Sequence, residues 1–252
     1  MTTPLIQIQS VHKAFNGQPV LDGVSLDIAR GESITVIGQS GCGKSVLLKH
    51  VIRLLEPDQG RVLFNGKDLG ELDLHELTEV RRRIGMLFQS AALFDSMTVA
   101  ENVGLGLKES RQYGRNEIDR IVAEKLKMVG LAKAADKNPA ELSGGMRKRV
   151  GLARAIAGNP EVLLYDEPTT GLDPITSDVI NDLIVRLTEM LDVTSISVTH
   201  DMKSAFKISN RFVMLYEGRI RFDGSPEELR QSDDSVIQQF ITGNADGPIK
   251  VR

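Results

Sequence analysis

Gly38-Gln39-Ser40-Gly41-Cys42-Gly43-Lys44-Ser45 fits the phosphate-binding pattern G-x-x-x-x-G-K-[ST] without a mismatch. Before it, Ser33-Ile34-Thr35-Val36-Ile37 is β-branched and apolar, the pattern of a buried parallel strand. After it, Val46 to Ile52 reads as a helix with apolar residues on its inner face. Those flanks separate a site from a chance run of glycines beside a surface lysine. Glycines let the backbone curl so that successive N–H groups point inward at phosphate oxygens, which makes Gly38, Ser40, Gly41, Cys42 and Gly43 the candidate cradle. The helix dipole adds partial positive charge and Lys44 a full one for the β- and γ-phosphates, while the Ser45 hydroxyl is placed to ligate Mg²⁺. The ligand these residues ask for is a nucleoside triphosphate.

Further along, the same strand pattern recurs with polar residues at its ends. Ile84-Gly85-Met86-Leu87-Phe88 ends at Gln89, Val162-Leu163-Leu164-Tyr165 ends at Asp166-Glu167, and Ser195 to Thr199 ends at His200. Helices over Thr176–Leu191 and Asp201–Ile208 separate the later strands, an alternation that predicts a mostly parallel sheet with ligands at the carboxyl ends of its strands. Hydrolysis of a γ-phosphate needs charge neutralisation, a metal and an oriented water. Asp166 can hold the Mg²⁺ shell with Ser45, Glu167 is the candidate base, Gln89 reaches metal and water, and His200 can bond the γ-phosphate and hold the Glu167–water arrangement. Ser143-Gly144-Gly145, a hydroxyl and small residues opening a helix, is a second anion-binding design. One nucleotide needs only one cradle from its own chain, so this second one suggests service to a nucleotide held by another chain.

The remaining elements are mostly framework. Ile6 to Val11 and Val24 to Ile28 alternate as half-exposed strands flanking a turn at Asn16-Gly17, and Gly60 to Lys67 is a hairpin by its Asn65-Gly66 turn. From Ser90 to about Ala155 the pattern is helical, with Asn116 a credible N-cap for Glu117 to Val129. Arg81-Arg82-Arg83 reads as a solvated face, and Gly243 onward as a mobile tail. The expected architecture is a single domain over 1–252. Its core and antiparallel β lobe span about 1–90 and 156–227, a helical insert about 91–155, and a C-terminal helix and tail about 228–252.

Composition narrows the function from the other side. The 252 residues are 41% hydrophobic and 26% charged, as in soluble globular proteins, and the net charge of −3 gives no whole-chain case for nucleic acid. A single cysteine, Cys42, excludes an intrachain disulfide and any cysteine-based zinc site, and suits a reducing cytoplasm. No apolar run reaches the roughly 18 residues a spanning helix needs, and Met1 to Gln9 lacks the layout of a signal peptide.

In this order the motifs resemble those of the ATP-binding-cassette (ABC) ATPases over essentially the whole chain. Gly38–Ser45 is similar to Walker A, Gln89 to the Q-loop glutamine, Leu142–Gly145 to the signature motif, and Val162–Asp166 to Walker B with Glu167 as catalytic carboxylate. Gly171-Leu172-Asp173 resembles the D-loop, His200 the switch histidine, and Phe15 stands where that family stacks adenine. The resemblance implies a P-loop NTPase fold of class α/β, with an N-terminal antiparallel β subdomain and an inserted helical subdomain. It implies a head-to-tail homodimer with two ATP molecules sandwiched between Walker A of one subunit and the signature of the other. It also implies that Gln89–Val99 contacts a membrane permease from the cytoplasmic face of the inner membrane.

A narrower likeness comes from Met86–Gln89, Leu93–Val99, Met146 after Ser143-Gly144-Gly145, and Phe240 with Asp246 to Ile249. These resemble the ATPases of Mla/Mce-type phospholipid transporters, which implies a phospholipid cargo, a small cytoplasmic accessory subunit and a lipid-binding MCE-type protein. The competing reading is the ATPase of a binding-protein-dependent importer for a polar solute such as an amino acid. A soluble ABC ATPase of DNA repair or translation would need coiled-coil insertions, zinc cysteines or two cassettes, and none is present. A P-loop kinase would leave Ser143-Gly144-Gly145 and His200 unexplained.

Overall fold

The computed structural model describes residues 4–250; of the N-terminal stretch read for a leader, Met1 to Thr3 lie outside the described residues. The chain forms two compact units, one from residues up to 74 together with 196 onward, the other from 75–195.

In the first unit, β1 (Ile6–Phe15) and β2 (Gln18–Ile28) form the expected hairpin. Asn16 and Gly17 turn it with φ 50 and 77, the left-handed pair that matches the twist of the strands. With β4 (Gln59–Phe64) and β5 (Lys67–Asp68) they make an antiparallel sheet in the order β2-β1-β4-β5, where Ile6 lies opposite both Ile28 and Phe64. A second layer has the order β10-β9-β3-β8, from β3 (Ser33–Ile37), β8 (Thr194–Thr199), β9 (Arg211–Tyr216) and β10 (Arg219–Gly224). Here β3 and β9 run parallel with Val36 beside Val213, and β3 leads through Gly38 into α1 (Lys44–Val51).

The same unit carries α7 (Met202–Ile208), α8 (Pro226–Gln231) and α9 (Ser235–Thr242). Ile37, Phe212, Met214, Leu229, Val236 and Ile237 form one apolar cluster, and Ile249 joins it. The stretch that reads as a mobile tail is therefore anchored at Ile249, while Gly243 to Pro248 before it are exposed. Gln239 on α9 accepts the Ile249 N–H at 2.7 Å and donates to the carbonyls of Ile249, Asn244 and Ala245. A polar, glycine-containing stretch reads as mobile because sequence does not reveal a buried amide that satisfies its backbone.

The second unit holds β6 (Ile84–Leu87) parallel to β7 (Val162–Asp166), with Met86 beside Leu164. Its helices are α2 (Leu74–Arg82), α3 (Val99–Ser110), α4 (Arg115–Met128), α5 (Gly144–Ile156) and α6 (Pro174–Leu191). α3 starts on a capping box between Thr98 and Glu101. Its buried Asn102 then donates to the carbonyls of Phe94, Met97 and Thr98 and accepts the Phe94 N–H, which fixes the loop before it. Gly104 sits where α3 meets α4: a Cβ there would come within 3.1 Å of Ile118 and 3.2 Å of Val122. α4 starts at Arg115 with Gly114 in the cap position, two residues before the Asn116 cap that the sequence suggests, and Gly114 supplies no side-chain bond. The arginine triplet is paired in part, Arg82 with Glu79 and Arg83 with Glu161.

Candidate active site

The phosphate loop lies wholly in the first unit, and its geometry explains its composition. At Gly38 (φ 150) a Cβ would fall 2.4 Å from the Leu215 carbonyl and 2.7 Å from Cys42 Sγ, so only glycine fits. Gly43, left-handed at φ 104, is the first cap of α1, with no side-chain bond to the helix start. The Lys44 side chain is buried and its ammonium donates to the carbonyls of Gly38 (2.8 Å) and Gln39 (2.9 Å). The loop is thus a closed curl around one cation, with backbone N–H groups of the helix start free of side-chain caps. Gly41 has nothing within 4 Å of where a Cβ would stand. Phe15, at the end of β1, is 42% exposed, and the Lys13 ammonium, itself bonded to Asp58 at 2.7 Å, lies 5.7 Å from its ring centre. His200 follows β8 and is exposed, so it is no core histidine.

The second unit carries the acids and the other helix start. Gln89 is exposed, just beyond β6, and Asp166 ends β7 with its side chain buried. Glu167 is buried and left-handed at φ 48, a conformation that costs a non-glycine residue about 1–3 kcal/mol and clusters at functional sites. The Thr170 hydroxyl donates to its carboxylate at 3.0 Å. Ser143 caps α5: its hydroxyl accepts the Met146 N–H at 3.2 Å, and Ser143 and Gly144 are both exposed. Gly145 is buried, where a Cβ would come within 2.6 Å of Thr176. Asp173 caps α6, accepting the Ile175 and Thr176 N–H groups at 3.0 Å. The Thr176 hydroxyl, followed by these N–H bonds, holds its carboxyl below the usual range.

Three residues with structural claims on this unit were invisible in the sequence. Lys148, buried on α5, donates to the Gln89 carbonyl at 2.5 Å and the Glu167 carbonyl at 3.0 Å. Burial pushes its ammonium down to about 8, against the pull of Asp166 and Glu167, which hold it up. Arg154 donates to the carbonyls of Ala91 and Ala92, both at 2.6 Å. Thr170 is the third. Met146-Arg147-Lys148-Arg149 offers several cations in a row, and only the packing decides which one turns inward.

Among the described residues no cluster of three or more His, Cys, Asp and Glu is suited to hold a metal ion. Taken unit by unit, Ser45 in the first offers a hydroxyl, and Gln89 and Asp166 in the second an amide and a carboxylate oxygen, all hard donors. Oxygen donors of this kind are the type that Mg²⁺ takes. The second unit also carries an open cleft of about 590 Å³, lined by Met86, Phe88, Val103, Leu107, Tyr113 and Arg154 among others.

A glycine-curled lysine cradle after a parallel strand defines a phosphate-loop nucleotide-binding protein. The family model of ABC transporters matches residues 21–170, and the chain belongs to that family. It is 40% identical to the intermembrane phospholipid transport system ATP-binding protein MlaF of Haemophilus influenzae, over the whole of this chain and 96% of that one. It is 44% identical to the chloroplastic protein TRIGALACTOSYLDIACYLGLYCEROL 3 of Arabidopsis thaliana, over 98% of this chain and 76% of that one. A solved structure, a dimeric ATP-binding cassette in a post-hydrolysis state bound to ADP and Pi, superposes with a TM-score of 0.80 at 34% identity, covering 87% of this chain and 98% of that one.

Proposed function

We propose that the chain is the ATP-hydrolysing subunit of an ABC transporter, working as a nucleotide-sandwich homodimer that drives a membrane permease moving phospholipid between membranes. The observation that carries this reading is the pair of glycine-flanked helix starts, one built around a buried lysine and the other around an exposed serine hydroxyl. In the reading, Phe15 stacks adenine while the 38–43 backbone and Lys44 hold the phosphates. Ser45, Gln89 and Asp166 would hold Mg²⁺, which would supply charge neutralisation to the phosphates. The Glu167 carboxylate takes the proton of the attacking water, and His200 holds the γ-phosphate and that water in line. The partner's Ser143, Gly144 and Gly145 complete the pocket, and Asp173, in the D-loop-like segment, belongs to the nucleotide-binding set.

Phospholipid as cargo draws on the name of the Haemophilus relative and on the Leu93–Val99 and Met146 details. The Gln89–Val99 loop, ordered by Asn102 and Arg154, is the proposed permease contact, with the neighbouring cleft in the same unit to receive an apolar segment. Among the described residues no helix is long and apolar enough to cross a membrane. This fits a peripheral position on the cytoplasmic face of the inner membrane, beside a small accessory subunit and an MCE-type lipid-binding protein. Purification from native membranes tests the reading. It predicts a copurifying integral membrane protein, ATP turnover that chelation of Mg²⁺ abolishes, and bound phospholipid by mass spectrometry. Recovery of a polar solute carrier in place of lipid would favour the importer reading, and recovery of nucleic acid would contradict both.

A further inference from the structure

We propose that Lys148 is a positioning residue for hydrolysis: from α5 its ammonium locks the Gln89 loop and the Glu167 backbone into one arrangement, and so sets the direction of the Glu167 carboxylate. The inference rests on Glu167 being the base. Lys148 is 4% exposed, and its side chain can donate but never accept. Its two acceptors are both main-chain carbonyls at the ends of neighbouring strands, Gln89 beyond β6 and Glu167 beyond β7. The Glu167 backbone needs holding, because its φ of 48 is a conformation that glutamate leaves when unconstrained. A charge-assisted bond to its carbonyl fixes the peptide plane that follows it, and with that plane the point from which the side chain departs.

The Gln89 end is held with equal care. Ala91 and Ala92 are also left-handed, at φ 61 and 45, and Arg154 grips both of their carbonyls. α5 therefore braces two irregular segments, and Lys148 bonds to both of them. The helix is drawn close enough to do this by Gly151, where a Cβ would fall 2.7 Å from Leu87 and 3.3 Å from the Ala91 side chain. Because Ser143 caps that same helix, a displacement of the α5 start reaches the Glu167 carbonyl through a single buried side chain.

The test compares Lys148→Met, Lys148→Gln and Glu167→Gln in the full chain and in the complex it copurifies with. Methionine keeps the length and removes the donors; glutamine keeps an N–H donor on a shorter stem. We expect Lys148→Met to lower kcat at least about tenfold with KM for ATP within about twofold of wild type, and Lys148→Gln to lose less, about two- to fivefold. A residue that only fills space would move the melting temperature and leave kcat alone. A folded Lys148→Met with kcat within about twofold of wild type, or equal damage to kcat and KM in both variants, overturns the proposal. Should Lys148→Met not fold, Lys148→Gln decides: a lower kcat at unchanged KM supports the role, and an unchanged kcat overturns it. Turnover surviving in Glu167→Gln would instead sink the assignment of the base, a failure distinct from this one.

Discussion

The starts of α1 and α5 are both glycine-flanked turns suited to phosphate, yet they are finished differently. At α1, Gly43 is left-handed, no side chain caps the helix, and Lys44 is drawn back onto the carbonyls of Gly38 and Gln39. At α5, Ser143 is extended, its hydroxyl accepts the Met146 N–H, and no buried cation stands in the turn. The first start combines backbone donors with a full charge, enough to hold a triphosphate by itself. The second offers a hydroxyl and a dipole, worth a fraction of that. It suits a phosphate already held elsewhere, whose charge grows during reaction. In the proposed function, the first start serves binding and the second turnover.

Three variants bear on that separation. Lys44→Ala removes the only full charge from the first cradle, and ATP affinity measured by calorimetry is expected to fall about 10- to 100-fold, about 1.4–2.7 kcal/mol. Wild-type affinity would contradict the cradle. Ser143→Ala leaves that cradle intact, so ATP affinity of the subunit stays within about twofold while turnover falls about tenfold; an affinity loss matching Lys44→Ala would erase the distinction. The same change costs α5 its cap, about 1 kcal/mol in chemical denaturation. Gln239→Ala touches neither helix start but frees the 244–250 segment, whose Ile249 shares a core cluster with Ile37, the last residue of β3 before the phosphate loop. It should cost about 1–2 kcal/mol in stability, raise hydrogen exchange in that segment, and leave ATP affinity unchanged. Unaltered exchange would show that Gln239 does not hold the segment.

What the sequence made legible is what local chemistry alone determines. The phosphate loop follows β3, Asp166 ends β7 and His200 follows β8, as their apolar runs imply, because a buried strand and a glycine turn are specified by adjacent residues. The α/β class and the antiparallel β layer follow from the same periodicities. Two features depended on a side chain reaching main-chain groups of another segment and were not legible. The 244–250 segment reads as a tail until Gln239 is seen to bond its backbone. Lys148 reads as one of several surface cations until the Gln89 and Glu167 carbonyls are found at its tip. In both cases a buried side chain satisfies main-chain groups outside its own helix, an arrangement with no periodic signature. The α4 cap differs for a smaller reason: Asn116 is a good cap by type, but Gly114 is where the chain leaves extended geometry.

The central claim is that the α5 start of one subunit completes the phosphate pocket of the other. The structure of the Glu167→Gln chain with ATP and Mg²⁺ tests it most directly. The account predicts a dimer in which the partner subunit's Ser143 hydroxyl lies about 3 Å from a γ-phosphate oxygen. A closed dimer with that hydroxyl well outside hydrogen-bonding reach of the γ-phosphate would contradict it.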